Sequence, residues 1–322
     1  MRFARMAVVA AAAVVACGCQ AGSGGGAPDG TYTVGVTTLF PTGTFSEFVD
    51  RLNEIGQENG ISFDIADINN DVIKENQVLS GFATKGVDLV VTSVASATGS
   101  AAAIRRLGNA GVPVACYNTC LAAPLDEQLT EAFVTNDQKG LGTSTGRAVA
   151  HYLGGRPGPA KIAYLTCETY DVCKDRRAGL DEALAALDVQ TVTAQEGYVV
   201  DAATPVATAM LAAHPDIDVL IAENEDGIVA AAKAVEARGL QGKVAVFGIG
   251  INPTVAQLLL AEPGIVEHTT GQDAAAWADE VIAVATATRD GKDTGEYLHY
   301  TPSPEFNRHD VDAVREYLAA RQ

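Results

Sequence analysis

Positive charge is scarce in this chain. Its 22 lysines and arginines stand against 40 aspartates and glutamates, a formal charge of −18 over 322 residues. A nucleic-acid binder carries a basic face to meet phosphates, and none is visible. Adsorption of the folded body to an anionic lipid surface is disfavoured for the same reason. Beyond the first twenty residues no apolar run reaches the ~18 residues that a spanning helix needs. Histidine occurs five times, at His151, His214, His268, His299 and His309, with no ligand-like spacing. Neither a metal centre nor a cofactor is therefore expected. No P-loop, nucleophile elbow or H-E-x-x-H helix is read. Gly248-Ile249-Gly250 lacks the third glycine of a dinucleotide loop and lies too late in the chain to open one. Carboxylate pairs such as Asp64 with Asp67, or Glu223 with Glu225, are explained by helix capping and solvation. Catalysis is not expected.

What the chain does have begins at its start. Arg2 and Arg5 precede an apolar stretch, 6–16, that ends in Val14-Val15-Ala16-Cys17. A short basic region, a brief apolar core and small residues at the cut describe a secretory signal. Val-Val-Ala-Cys resembles the bacterial lipobox. That resemblance implies removal of 1–16 and lipidation of Cys17, hence an exported protein anchored at the outer face of the cytoplasmic membrane. Residues 17–30 are rich in glycine and small residues, and a flexible tether is expected there.

Apart from Cys17 and Cys19, the cysteines form two short pairs, Cys116 with Cys120 and Cys167 with Cys173. Four cysteines allow three connectivities. Export permits disulfides, and the local pairings are the simplest. Free thiols are an alternative. A metal site is a weaker one, because neither pair has the C-x-x-C spacing usual for structural zinc.

From Tyr32 onward, short β-rich runs alternate with helical patterns. The expected strands are 32–36, 61–65, 87–91, 112–116 and 133–134, then 161–165, 189–194, 219–221, 244–248 and 265–269. The helices between them span 44–58, 71–83, 97–109, 140–153, 176–187, 202–213, 227–237, 254–261 and 274–288. Strands alternating with helices of this length predict parallel sheets covered on both faces, an α/β class. One continuous sheet would be unusually wide, so two Rossmann-like lobes split near Asn136 are expected. Ligands of open parallel sheets sit outside the strands' carboxyl ends, so facing lobes would create an interlobe ligand cleft with a hinge.

The order of local motifs resembles the sugar-binding proteins of ABC importers, of the ribose/galactose-binding type related to LacI-family ligand domains. It is carried by Gly86-Val87-Asp88, Ala110-Gly111-Val112-Pro113-Val114, Arg176-Arg177-Ala178-Gly179, His214-Pro215-Asp216, Asn224-Glu225, Val246-Phe247-Gly248 and Thr269-Thr270-Gly271-Gln272. The resemblance implies an N-terminal lobe of 31–135 plus 273–295 and a C-terminal lobe of 136–272. Residues 296–322 would form the last crossover and a tail, with Val311, Val314 and Leu318 on a short helix or a partner surface.

The resemblance also implies a site. Phe40 and Phe45 would form the aromatic wall beside the loop 41–44, although Phe45 also fits the core stripe of its helix. Asn118 stands where the family often has Asp-Arg on the cleft floor. Arg176 matches the arginine of an Arg-x-x-Gly helix motif whose guanidinium points into the cleft. Asn224 matches a strand-end asparagine that contacts ligand or caps the next helix. Gln272 matches a hinge glutamine, and Tyr198 an aromatic of the second lobe. Gly250 replaces an expected aspartate, for which Asn252 is a partial substitute. The loss argues for a ligand with fewer or differently placed hydroxyls than ribose or galactose, such as a small sugar or linear polyol. A monosaccharide or small polyol as ligand, an ABC permease as partner, no nucleic acid and a monomeric state are the resulting expectations. A binding lipoprotein that presents the sugar to a membrane receptor is the alternative, and an extracellular enzyme a remoter one.

Overall fold

The computed structural model describes residues 31–41, 43–154 and 158–321. The expectations on the signal, Cys17 and the tether, and Thr42 of the aromatic loop, lie outside the described residues. The chain opens with β1 (Tyr32–Thr38), α1 (Thr44–Gly56), β2 (Ile61–Asp67) and α2 (Val72–Lys85). Next come β3 (Leu89–Thr92), α3 (Ala101–Asn109), β4 (Val114–Tyr117), α4 (Leu125–Leu129) and β5 (Ala132–Thr135). A second series runs α5 (Gln138–Leu153), β6 (Ala160–Thr166), α6 (Asp171–Leu184), β7 (Val189–Glu196) and α7 (Val200–Ala213). It continues with β8 (Val219–Ala222), α8 (Glu225–Ala237), β9 (Ala245–Ile249), α9 (Pro253–Leu260) and β10 (Val266–Thr270). The last elements are α10 (Ala274–Arg289), β11 (Leu298–Tyr300), β12 (Glu305–Asn307) and α11 (Val311–Ala319).

Two six-stranded sheets result, ordered β11-β5-β4-β3-β1-β2 and β12-β10-β9-β8-β6-β7. All neighbours are parallel except β12, which runs antiparallel to β10. Each sheet is buried on both faces, so its central strands are continuous apolar runs such as Leu89-Val90-Val91 and Val219-Leu220-Ile221. These are the two α/β lobes. The chain passes between them after β5, after β10 and between β11 and β12.

Local chemistry sets the helix starts. Asp71, Asp137, Asn224, Asn252, Asp273 and Asp310 each accept a hydrogen bond from backbone N–H groups of the first turn they precede. The third helix starts at Ala101, four residues later than its apolar pattern suggests. The buried Glu75 carboxylate accepts from Ala95 N and from the Ser100 hydroxyl, which fastens the preceding residues as a turn. Conversely α6 begins at Asp171, ahead of the expected start, and carries Cys173 in its first turn.

Three short elements have no counterpart in the sequence reading: α4, β11 and β12. Both strands are three-residue edges with little or no burial pattern to see. The tail does form a helix. Val314 and Tyr317 of α11 are buried on the second lobe's core with Phe306, and Leu318 packs beside them.

Candidate functional site

A cavity of about 580 Å³ lies between the lobes, walled by loops at the carboxyl ends of the parallel strands. That volume is in the range of small-molecule sites. Phe40, Phe45, Asn118, Arg176, Tyr198, Asn224, Asn252 and Gln272 all line it. Residues far apart in sequence thus converge because each ends or follows a strand.

Apolar contact comes from both walls. Phe40 and Phe45 meet edge to face at 6.2 Å, and Phe45 meets Tyr117 at 6.2 Å in the same way. Tyr117 stacks on Phe48 at 4.2 Å and sits against Trp277, which also reaches the cavity. Phe45 is therefore at once the edge of a packed aromatic cluster and a cavity wall. On the opposite side Tyr170 and Tyr198 meet at 5.7 Å.

Asn118 is held in an unusual backbone state. Its φ is +58°, and Thr119 N donates to Tyr117 O at 2.6 Å across it, which makes a γ-turn. Asparagine tolerates the left-handed region better than most residues. The turn is closed by the Cys116–Cys120 disulfide. Asn118 Nδ2 donates to Ser93 Oγ at 3.2 Å, and its amide carries one more donor and an acceptor oxygen. The second disulfide joins Cys167 to Cys173, and both of its residues line the cavity.

Arg176 is buried at the base of the cavity, not a solvated helix charge. Its Nε donates to Gln138 Oε1 at 2.7 Å, Nη1 to Glu223 O at 2.7 Å and Nη2 to Gln272 Oε1 at 3.0 Å. Burial lowers its pKa to about 10, with Glu225 and Glu223 opposing, so it stays charged at neutral pH. Two of its five N–H groups remain for other partners. Gln272 Nε2 reaches Asn136 Oδ1 at 3.3 Å, which also accepts from Trp277 Nε1 at 3.0 Å. Asn136 Nδ2 faces Thr301 O, Pro302 O and Ser303 Oγ at 3.0–3.2 Å. One network thus ties all three interlobe crossings to the cavity's arginine.

Asn224 and Asn252 both cap helices through Oδ1, to Gly227 N at 3.0 Å and Val255 N at 2.9 Å. Asn224 Nδ2 donates to Tyr198 O at 2.9 Å, which pins the second aromatic wall. Each amide is a cap and a cavity wall together.

Helix capping and solvation were the expected roles of Glu223 and Glu225; burial rules out solvation for Glu223, while Glu225 is half-buried in the first turn of α8. Glu223 is fully buried, accepts from Cys167 N at 2.9 Å through Oε2 and has no partner for Oε1. Burial raises its pKa to about 7. It lies close to both disulfide sulfurs, but those are spent on each other and offer no thiolate to a metal. Glu225 lines the cavity and accepts from Thr44 Oγ1 of the other lobe at 2.7 Å. A carboxylate acceptor is therefore present although residue 250 is glycine. The sequence shows Glu225 at a strand end and glycine at 250, but not that the two positions meet.

The spacing G-x-S-x-G does occur, at Gly142-Thr143-Ser144-Thr145-Gly146. It lies inside α5 instead of on a strand-to-helix turn, and Ser144 donates to the Glu305 carboxylate, whose other oxygen lies 3.9 Å from His268 Nε2. It is a helix-packing segment.

Two parallel-sheet lobes, three crossings and a cavity shared by both lobes define a two-lobed solute-binding protein. The chain belongs to the periplasmic binding protein domain family, whose model matches residues 34–293. It is 30% identical over 232 residues to the ABC transporter periplasmic-binding protein YphF of Escherichia coli K12, covering 70% of this chain and 71% of that one. It is 28% identical over 228 residues to a D-ribose/D-allose-binding protein of Pseudomonas aeruginosa, covering 68% of each. A solved structure from Mycobacterium smegmatis in complex with β-D-fucofuranose superposes with a TM-score of 0.81 at 23% identity, covering 89% of this chain and 96% of that chain. The chain is a binding protein and not an enzyme.

Proposed function

We propose that this protein captures a small neutral sugar or polyol outside the cytoplasm and delivers it to an ABC permease. The observation that carries the reading is the cavity itself. Aromatic faces on both walls suit C–H surfaces, while Asn118, Arg176 and Gln272 offer fixed polar partners to hydroxyls from the first lobe, the second lobe and the hinge. The names of the similar proteins, a transporter binding protein and a ribose/allose binder, agree with it. Phe40, Phe45, Asn118, Arg176, Tyr198, Asn224, Asn252 and Gln272 are the proposed ligand contacts.

The sheet membership of β11 and β12 supports a division into 31–135 plus 273–295, and 136–272, with 296–322 completing the crossover. Capture works by differential affinity: a solute that bridges both walls stabilises the closed arrangement of the lobes. Export and lipidation at Cys17 would keep the body near its permease. Mass analysis of the membrane-bound protein tests the anchor, and release of a Cys17→Ala variant into the medium is the expected result.

The decisive experiment is thermal-shift screening of pentoses, hexoses and C4–C6 polyols, followed by calorimetric titration of the hits. A ligand that binds only the folded state at a hundred times its Kd adds about 2.7 kcal/mol to stability. A saturable shift with at least one probe is expected. No shift with any neutral sugar or polyol would overturn the reading.

A further inference from the structure

The carboxylate of Glu225 is built into the cavity from two sides. Its Oε1 accepts from Thr44 Oγ1 of the opposite lobe at 2.7 Å. Its Oε2 lies 2.5 Å from the point where a Cβ on Gly250 would stand. Gly250 has a φ of +98°, a conformation that side-chain-bearing residues rarely take. The loop after β9 is thus shaped around this carboxylate, and any larger residue at 250 would displace it. A carboxylate only accepts hydrogen bonds and offers about four lone-pair positions, of which Thr44 takes one.

One buried positive charge acts on it, Arg176, whose charged form Glu225 and Glu223 favour. Arg176 lies at the base, with three of its N–H groups committed to Gln138, Glu223 O and Gln272. Lys233 borders the cavity but is exposed. Asp226, next to Glu225 and also lining the cavity, adds a second acidic group.

We infer that Glu225 is the specificity-determining residue of the cavity. It accepts hydroxyls of a neutral polyhydroxy compound and excludes the corresponding acids, whether carboxylated or phosphorylated. The inference rests on the capture reading above and sharpens its substrate class. Hydrogen bonds to a charged acceptor are the strong ones, so losing this one costs roughly tenfold to a hundredfold in affinity. A ligand carboxylate in the same place meets like charge in a poorly solvated space.

The test is calorimetric titration at pH 7.5 with pairs that differ by a carboxylate: D-ribose and D-ribonate, D-galactose and D-galacturonate, D-glucitol and D-gluconate. Wild type is expected to bind at least one neutral member and to take its acid roughly a hundredfold more weakly or not at all. Glu225→Gln is expected to weaken the neutral member by roughly tenfold or more and to narrow the gap to its acid. Glu225→Asp, which keeps the charge and shortens its reach, is expected to lose affinity while still rejecting the acid. The unliganded unfolding midpoint of each variant establishes that it is folded. Wild-type binding of an acid as tightly as its neutral partner overturns the inference and leaves the capture reading standing. So does a folded Glu225→Gln with unchanged affinity and discrimination. Binding of none of the six probes, with the wider neutral screen also blank, overturns the capture reading and this inference with it.

Discussion

Arg321 Nε donates to Glu47 Oε2 at 2.8 Å, joining the end of the last helix to the first. The two belong to different lobes: α11 packs on the second lobe's core, whereas α1 packs on the first. Tyr317 OH reaches the same carboxylate at 3.4–3.5 Å, and the Arg321 guanidinium lies 3.7 Å over the Tyr317 ring. Burial raises the Glu47 pKa, and Arg321 opposes the shift. The contact is a latch between lobes that the tail alone supplies.

Arg321→Ala is therefore expected to loosen the lobes rather than unfold them. A partly buried ion pair of this kind is worth about 1 kcal/mol, so ligand affinity should fall roughly two- to tenfold. Small-angle scattering of the unliganded protein should show a larger radius of gyration. Identical scattering and affinity in variant and wild type would dismiss the latch.

At Asn118 the backbone and the side chain can be separated. Holding φ at +58° costs a residue other than glycine or asparagine roughly 1–2 kcal/mol. Asn118→Ala should lower stability by about 1 kcal/mol, while Asn118→Gly should hold the γ-turn at little or no cost. Both should lose ligand affinity if the amide touches the solute. Denaturant titration reads the first effect and calorimetry the second. Equal stability losses in the two variants would show that the turn does not need a left-handed residue.

Much of this was legible in the sequence, and the reasons are specific. Strand and helix order followed from alternation, because strands buried on both faces are unbroken apolar runs. Cavity residues were legible where a motif fixes a side chain at a strand end, as with Asn224 and Gln272. Glu225 was not, because its significance depends on empty space at Gly250, a residue 25 positions away whose contribution is an absent atom. The burial of Glu223 is not legible either, because neighbouring acidic residues at a strand end look alike until the fold separates them. The three-residue edges β11 and β12 carry too few positions for any period to show.

Glu223 gives the protein a pH dependence of definite sign. Its folded pKa of about 7 lies above the ordinary 4.5, raised first by burial, then by Glu168, against Cys167 N and the nearby Arg177 and Arg176. The folded state binds the proton more tightly than the unfolded chain does. Glu223 is thus least costly below pH 4.5, and its share of stability is lost as pH rises toward about 7. The loss is on the order of 3 kcal/mol. Asp226, raised to about 6 by burial and by Glu225, acts in the same sense, while His268, lowered by burial, acts in the opposite one. The difference between wild type and Glu223→Gln isolates the one group. The variant should be the more stable above pH 7, with the gap closing toward pH 5. A gap that does not change with pH would refute the assignment.

Gly179, the glycine of the Arg176 motif, should not tolerate a side chain. Helices α5 and α6 touch backbone to backbone: a Cβ at Gly179 would collide with Lys139 O and lie 2.7 Å from Thr143 N, and one at Gly142 would collide with Arg176 O. Neither neighbour is a side chain that can swing away, so Gly179→Ala must push the helices apart. Overpacking of this kind costs roughly 1–3 kcal/mol, and a backbone obstacle puts it at the upper end. The displacement carries Arg176 with it, three residues earlier on α6, and so stretches its bonds to Gln138 on α5 and Gln272 at the hinge. Binding should therefore fall by more than stability alone explains when measured well below the variant's unfolding midpoint. Gly81→Ala is the control, since a Cβ at this half-buried position of α2 meets nothing within 4 Å. That change should leave binding intact and raise helix stability by up to about 1 kcal/mol. A Gly179→Ala protein with wild-type affinity and midpoint would mean that the close approach of α5 and α6 does not set the position of the arginine.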